Sequence, residues 1–434
     1  MKVGSPSVKK SVFLFPLLVL ASTAHAAPAE GNTKSKKIEE ALSEAVVKER
    51  IAGRAFPAVF QAWNPADNLK GEDRLATIAR HDLVFHGAEF FKLQWDNEYR
   101  GLATAFKPAS ILQGLALRKS LLKRNPNLIF IMEIRYRDAW GNTLPKHREE
   151  AWKKSGRGEW RGFLPKGHKW WKRDADGQLV MGWKEGGFIQ MDFTNPSYRE
   201  QVAKRCESAI ASGVVDGVML DWWKEDDDRL ALITAIRKRI GQKALILVNS
   251  NDRQIPRTAP YVNGLFMECD RSRTAMDWQR IADTLVWAEK HLREPRINCL
   301  ETWYHKSRED LHLMRATTTL CLTLSDGYCL FSDPNPLPTS DHLHDWYDFW
   351  DSGLGTPLSP GRKQDDGSYR REFSGGTAVY NPMGNKAARL GFQKARRSAA
   401  TAKTAKRHLV VPGDGDIFLK TTKGHDKLDV EDGK

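Results

Sequence analysis

Cysteine is scarce, with five residues in 434. None stands at the paired spacing of a metal-binding motif, so no metal site is expected. Cys206, Cys269, Cys299, Cys321 and Cys329 all fall inside predicted helices or strands and not in loops, which argues against a disulfide framework. Cys269 and Cys299 close adjacent predicted strands and can pair in an oxidising compartment; buried free thiols are the expected state. Long apolar runs are also missing. The one apolar stretch, Val12 to Ala21, follows Lys9-Lys10 and precedes Ala24-His25-Ala26. That is the layout of a secretory signal peptide, too short for a relaxed membrane span of ~20 residues. The mature chain is expected to begin near Ala27, secreted or periplasmic, with no stable membrane span after cleavage. An uncleaved anchor is the alternative.

Hydrophobic residues make up 41% and charged residues 28% of the chain, the ordinary balance of a globular protein. The formal charge of +14 suits contact with acidic polymers, an acidic polysaccharide among them, or with anionic surfaces. Scattered surface Lys and Arg that keep a protein soluble give the same balance and are the default reading. The basic stretch from Gln393 to Arg407 is read as a linker or loop and not as a nucleic-acid module, because no reading motif accompanies it.

Short apolar runs alternate with segments of helical period, the signature of a parallel sheet wrapped by helices. Strands are expected at Ala58–Trp63, Leu83–Ala88, Leu128–Arg135, Val214–Leu220, Ala244–Asn249, Val262–Cys269, Arg296–Thr302 and Gly327–Phe331. Helices are expected at Ser110–Lys123, Pro196–Ala211, Leu230–Ile240, Met276–Leu292 and Asp310–Leu324. Eight strands with interposed helices repeat as an α/β chain of the (β/α)8 TIM-barrel type. The excursion from Ala139 to Phe188 has no sustained period and reads as a lid or substrate wall. After Trp350, short runs between Gly, Asp and Ser turns point to a small C-terminal antiparallel β domain. The expected division is a signal peptide over 1–26, a tether or leading helix over 27–54, the barrel over 55–350, the β domain over 351–422 and a disordered tail over 423–434.

Active sites of such barrels lie where strands end, so acids that close an apolar strand are the candidates. Three strands end this way: Asp216-Gly-Val-Met-Leu-Asp221-Trp222-Trp223, Gly264-Leu-Phe-Met-Glu268-Cys-Asp270, and Asn298-Cys-Leu-Glu301-Thr-Trp303. Glycoside hydrolysis needs two carboxyl groups flanking the scissile bond, one protonated and one ionised. Asp221, Glu268 and Glu301 are therefore the catalytic candidates. The 15 tryptophans are more than usual composition supplies, and Trp63, Trp95, Trp222, Trp223 and Trp303 fall at predicted strand ends, where indoles can stack on sugar rings. Glu133, Asp192, Asn249 and Asp270 complete the expected substrate-binding set, and Asp138 also lies near a strand end. For a single acid, a helix cap or a structural ion pair is an equal reading; for a single tryptophan, core packing is the default.

The run Asp216–Asp221, the segment Met191-Asp192-Phe-Thr-Asn-Pro-Ser-Tyr-Arg199 and the closing Gly375-Gly-Thr-Ala-Val-Tyr-Asn381-Pro382 resemble a hypothetical glycosyl hydrolase family, the one numbered 15. The fourth-strand motif also resembles that of α-galactosidase-like and polygalactosaminidase-like barrels. The resemblance spans about Arg54 to Phe392. It implies a TIM barrel with a short β tail and gives the nucleophile or base role to Asp221, while the sixth-strand acid matches Glu268 less closely. The expectation is a secreted glycoside hydrolase acting on a poly- or oligosaccharide, with Asp221 as nucleophile or base, Glu268 as acid, Glu301 or Asp270 tuning charge, and no cofactor. A non-catalytic carbohydrate-binding barrel is the alternative.

Overall fold

The computed structural model of the chain describes residues 44–69, 71–154, 159–303, 308–333 and 342–421, with the side chains of Glu44, His147, Ala151 and Trp303 excepted. The expected signal peptide and C-terminal tail lie outside the described residues. The strands in chain order are β1 (Phe60–Ala62), β2 (Leu83–His86), β3 (Ile129–Glu133), β4 (Asp138–Trp140), β5 (Phe188–Gln190), β6 (Gly217–Leu220), β7 (Leu245–Asn249), β8 (Gly264–Cys269), β9 (Cys299–Trp303) and β10 (Tyr328–Ser332). Eight of them pair in parallel in the order β1-β2-β3-β6-β7-β8-β9-β10. A parallel bridge between Val59 and Cys329 closes the ring. Each strand lies within or against one of the eight expected runs, so the (β/α)8 barrel stands.

Helices start and stop where the local chemistry dictates. Asn195 caps Pro196–Ala211 by accepting from the Ser197 N–H at 3.0 Å, and Thr274 and Asp277 form a capping box for Ala275–His291. Gly241 ends Asp227–Ile240 at φ 70°, a conformation that costs glycine little. Between β7 and β8 the connection holds only a 3-10 turn, Ala259–Tyr261. Gly217 opens β6 where a Cβ would lie 2.4 Å from the Leu245 carbonyl oxygen, so the small residue lets β6 and β7 approach.

One buried ion cluster ties the helix Glu44–Ala52 and the helix Pro108–Arg124 to the bottom of β6. Asp216 accepts from Arg50 at 2.9 and 2.8 Å, from Arg118 at 2.7 Å and from the Phe130 N–H at 2.9 Å. Burial opposes ionisation of this carboxyl, but the two guanidinium charges win and hold it far below the usual carboxylate range.

The excursion after β3 is more ordered than its sequence suggests. β4 and β5 pair antiparallel, and Lys146–Lys154 is a helix whose only apolar residues are Ala151 and Trp152. Such a helix has no hydrophobic period to read; a Glu149–Lys153 ion pair at 2.8 Å links successive turns.

Beyond the barrel, β11 (Arg362–Lys363), β12 (Tyr369–Glu372), β13 (Gly376–Asn381), β14 (Ala388–Ser398), β15 (Thr404–Val410) and β16 (Asp414–Lys420) form an antiparallel sheet ordered β11-β12-β13-β16-β14-β15. The segment read as a basic linker, Gln393 to Arg407, is instead the end of β14, a turn and the start of β15. Lys394, Arg397, Lys406 and Arg407 occupy exposed positions of paired strands, so composition disguised the pairing. The sheet packs on helix Leu311–Leu324, which is buried between sheet and barrel and therefore carries apolar residues and threonines all round. Gly415 of β16 meets this helix so closely that a Cβ would lie 1.7 Å from Thr319 Oγ1. Gly415→Ala is expected to cost about 1–3 kcal/mol by overpacking, read as a lower denaturant midpoint. An unchanged midpoint would show that the sheet shifts freely on its helix.

Candidate functional site

The C-terminal ends of the parallel strands bring together residues far apart in the chain. Glu133 ends β3, Asp221 follows β6, Asn249 ends β7, and Glu268 and Glu301 are Cα partners on β8 and β9. Phe266 and Glu268 share a face of β8. Phe266 packs edge-on against Phe60 and Phe85 inside the barrel, which leaves Glu268 at the mouth.

Asn249 organises the acids. Its Nδ2 donates to Asp221 Oδ1 at 2.8 Å and to Glu268 Oε2 at 2.6 Å, while its Oδ1 accepts from the Asn251 N–H at 3.2 Å, which sets the amide's orientation. Because both oxygens sit on one nitrogen whose N–H bonds diverge at ~120°, they are roughly 5 Å apart. Asp221 Oδ1 also accepts from the Trp222 N–H at 2.9 Å, so Oδ2 bears neither bond.

Glu268 and Glu301 would repel as like charges side by side on neighbouring strands. His342 stands between them. Its Nδ1 lies 3.0 and 2.8 Å from the two Glu301 oxygens, and its Nε2 lies 3.7 Å from Glu268 Oε1. Ser332 at the end of β10 also donates to Glu301, whose side chain is wholly buried. On the other side, Trp63 Nε1 donates to Glu133 at 3.1 Å, Arg135 lies 3.1 Å from the same carboxylate, and the indole of Trp63 faces His342 at 4.7 Å.

These surroundings separate the two bridged acids. Burial, reinforced by the Glu133 charge and opposed by Arg135 and Asn249, raises Asp221 to about 6. Burial, opposed by His342 but reinforced by Asp221 and Glu301, raises Glu268 to about 8. Near pH 7 the arrangement therefore holds one ionised and one protonated carboxyl on a shared donor.

Backbone strain gathers at the same place. Six non-glycine residues among those described have positive φ, and Trp63, Trp222, Asn251 and His342, at 52 to 55°, contact this cluster or adjoin it. Strained backbone is costly and concentrates where geometry is functional.

Of the residues expected from sequence, Asp221, Glu268, Glu301, Asn249, Glu133 and Trp63 converge. Trp222 stands at the rim, 46% exposed, with the Arg137 guanidinium 4.3 Å from its ring centre. Others do not join them. Trp223 is fully buried and donates to Thr258 at 3.2 Å, a packing role. Trp95 stacks on Phe106 at 4.0 Å under Arg205, and Asp192 folds onto Thr194 in the turn before Asn195. Asp138 holds the excursion through the Trp183 N–H at 2.9 Å. Asp270 is exposed beyond the end of β8 and makes no hydrogen bond or ion pair among the described residues. The indole of Trp303 lies outside the described residues. All five cysteines are free and buried, Cys269 and Cys299 included.

Sequence reasoning missed His342, Ser332, Arg135 and Asn251. His342 lies past the eighth strand, where no period leads to it; its one signal is the local density of His342, His344 and Asp345.

No family profile matches the sequence, and no curated protein matches it. Solved structures with a similar course of chain include an alpha-amylase from Malbranchea cinnamomea, with 11% identity, TM-score 0.49, 86% of this chain and 97% of that one covered. Another is the cyclic alpha-maltosyl-(1-->6)-maltose hydrolase of Arthrobacter globiformis, with 11% identity, TM-score 0.47, and 85% and 98% covered. A third is a variant of the glycoside hydrolase domain of PelA from Pseudomonas aeruginosa, with 13% identity, TM-score 0.38, and 68% and 100% covered. These neighbours are glycoside hydrolases; likeness at this level bears on neither the activity nor the substrate of this chain.

Proposed function

We propose that the chain is a retaining O-glycoside hydrolase, exported by its N-terminal signal, with Asp221 as nucleophile and Glu268 as acid and then base. The observation that carries this reading is the Asn249 bridge, which joins the Asp221 and Glu268 carboxyls through one nitrogen with oxygens roughly 5 Å apart, a spacing that favours a retaining over an inverting pair. Asp221 Oδ2 attacks the anomeric carbon while the Glu268 proton passes to the leaving oxygen. Glu268, now ionised, takes a proton from the water that hydrolyses the glycosyl ester. Asn249 holds both acids in register, and the Glu301–His342 pair supports Glu268 from behind. Trp63 and Trp222 supply indole surface for sugar rings. The relation to the hypothetical hydrolase family numbered 15 and to the polygalactosaminidase-like barrels belongs to this proposal, since the motif that suggests it ends on Asp221.

The test is hydrolysis of a broad glycan panel with the anomer of the first product followed by NMR. Net retention supports the assignment and net inversion overturns it. On any substrate that is cut, kcat/KM is expected to be bell-shaped, with limbs near 6 and 8. Below the lower limb Asp221 takes a proton and cannot attack; above the upper limb Glu268 has lost the proton it must donate. A profile still rising at pH 9 would remove Glu268 from the acid role.

A further inference from the structure

We propose that the β14–β15 hairpin is a binding surface for an anionic polysaccharide, separate from the barrel mouth. Between residues 386 and 413 the chain carries eight Lys and Arg and no Asp or Glu. Arg389, Lys394, Arg397, Lys406 and Arg407 are exposed, and none of them has a carboxylate within ion-pair distance among the described residues. Two cations elsewhere on the molecule show what a matched charge looks like: Arg239 pairs with Glu200 and Glu207, and Arg80 with Glu72. Unmatched charges of one sign repel each other, and the field they create draws polyanions.

Edge strands often carry lysine to prevent sheet-to-sheet association, which would account for Lys406 and Arg407 on the outermost strand, β15. It does not account for Arg397, which is paired on both sides, with Thr404 of β15 and with Leu419 of β16. The register places Arg389 opposite Leu409 and Gly391 opposite Arg407. A Cβ at Gly391 would meet nothing within 4 Å, so the backbone is bare between two guanidinium groups and a flat polymer can lie close to it.

The chemistry favours a charged glycan over other polyanions. Binding in a membrane interface takes inserted aromatic and apolar side chains. Phe392, the aromatic ring of the hairpin, packs on Phe418 and His408, and only Leu409 and Val411 offer exposed apolar surface. Single-stranded nucleic acid needs stacking rings, which are equally absent here among the described residues. The choice of a glycan rests on the hydrolase reading of the barrel; the cationic surface does not.

The test uses the full chain and a quadruple variant, Arg389→Gln, Arg397→Gln, Lys406→Gln and Arg407→Gln, with thermal unfolding confirming that both are folded. Probes are polygalacturonate, dextran sulfate, neutral dextran, phosphatidylglycerol vesicles and random duplex DNA. The wild type is expected to bind at least one charged glycan, to ignore neutral dextran, and to weaken by at least about ten-fold between roughly 50 and 200 mM salt. The quadruple variant should lose at least about ten-fold in affinity at the lower salt, and the same four positions with every Arg changed to Lys should retain binding. Absence of binding, indifference to the variant, or tighter binding to vesicles or DNA overturns the proposal. Asp221→Asn is expected to bind as the wild type does, so a failed hydrolysis assay and a failed hairpin are told apart.

Discussion

Asp221→Asn is expected to lower kcat by about four orders of magnitude or more on any glycoside that the wild type cuts, because under the proposed mechanism its carboxylate forms the glycosyl ester. Glu268→Gln should behave differently. A glycoside whose leaving group departs without protonation needs no acid, so this variant should form the intermediate at near wild-type rate with an activated aryl glycoside and fail with an ordinary sugar leaving group. Turnover by Asp221→Asn within ten-fold of the wild type would remove it as nucleophile. If no substrate is cut and a glycan binds wild type and both variants equally, the barrel is a carbohydrate-binding protein. The same substitutions carry a stability signature. Glu268 is raised from 4.5 to about 8 on folding, so the native state prefers its proton. Wild-type stability should therefore fall as pH climbs from the unfolded value towards 8, by an amount on the order of 4 kcal/mol. Glu268→Gln, a permanent mimic of the neutral acid, should abolish that fall and unfold at a higher temperature than the wild type at pH 8, with little difference at pH 4.

Asp216→Asn is expected to cost about 3–5 kcal/mol, the effect of leaving two buried guanidinium groups without their counter-ion. Arg50 and Arg118 both converge on this side chain, and the amide cannot accept from both while also taking the Phe130 N–H. Chemical denaturation reads the loss directly. Since the carboxyl is held below its unfolded value, its contribution is present above the unfolded pKa of ~4 and disappears as pH falls through the folded one. Joint replacement of Asp216, Arg50 and Arg118 by Leu, Met and Leu should recover much of the stability. An unchanged midpoint in Asp216→Asn would show that the clamp has no role in the fold. Two aspartates that bracket one strand thus fail in opposite ways, one by losing the fold and the other by losing the chemistry.

Both ends of that strand were visible in Asp216-Gly-Val-Met-Leu-Asp221, but their division of labour was not. The barrel was legible because each strand is a short apolar run with a period of its own, and the helices between them carry their own caps. The misread segments had misleading local signals. Lys146–Lys154 has almost no apolar face, and the exposed cations of β14 and β15 resemble a solvated linker.

The sequence by itself determined the order of strands and helices, the parallel closure they imply, and the strand ends that carry acids, because these depend on neighbours within a turn or a pleat. Tertiary structure decided which of those groups meet. Asn249 reaches Asp221 and Glu268 across three strands, His342 enters from a loop beyond the eighth strand, and Trp223, Trp95 and Asp270, all at plausible strand ends, turn into the core, against Phe106 and out to solvent. A side chain's partners depend on ring closure and register between segments distant in the chain, and no local pattern records them.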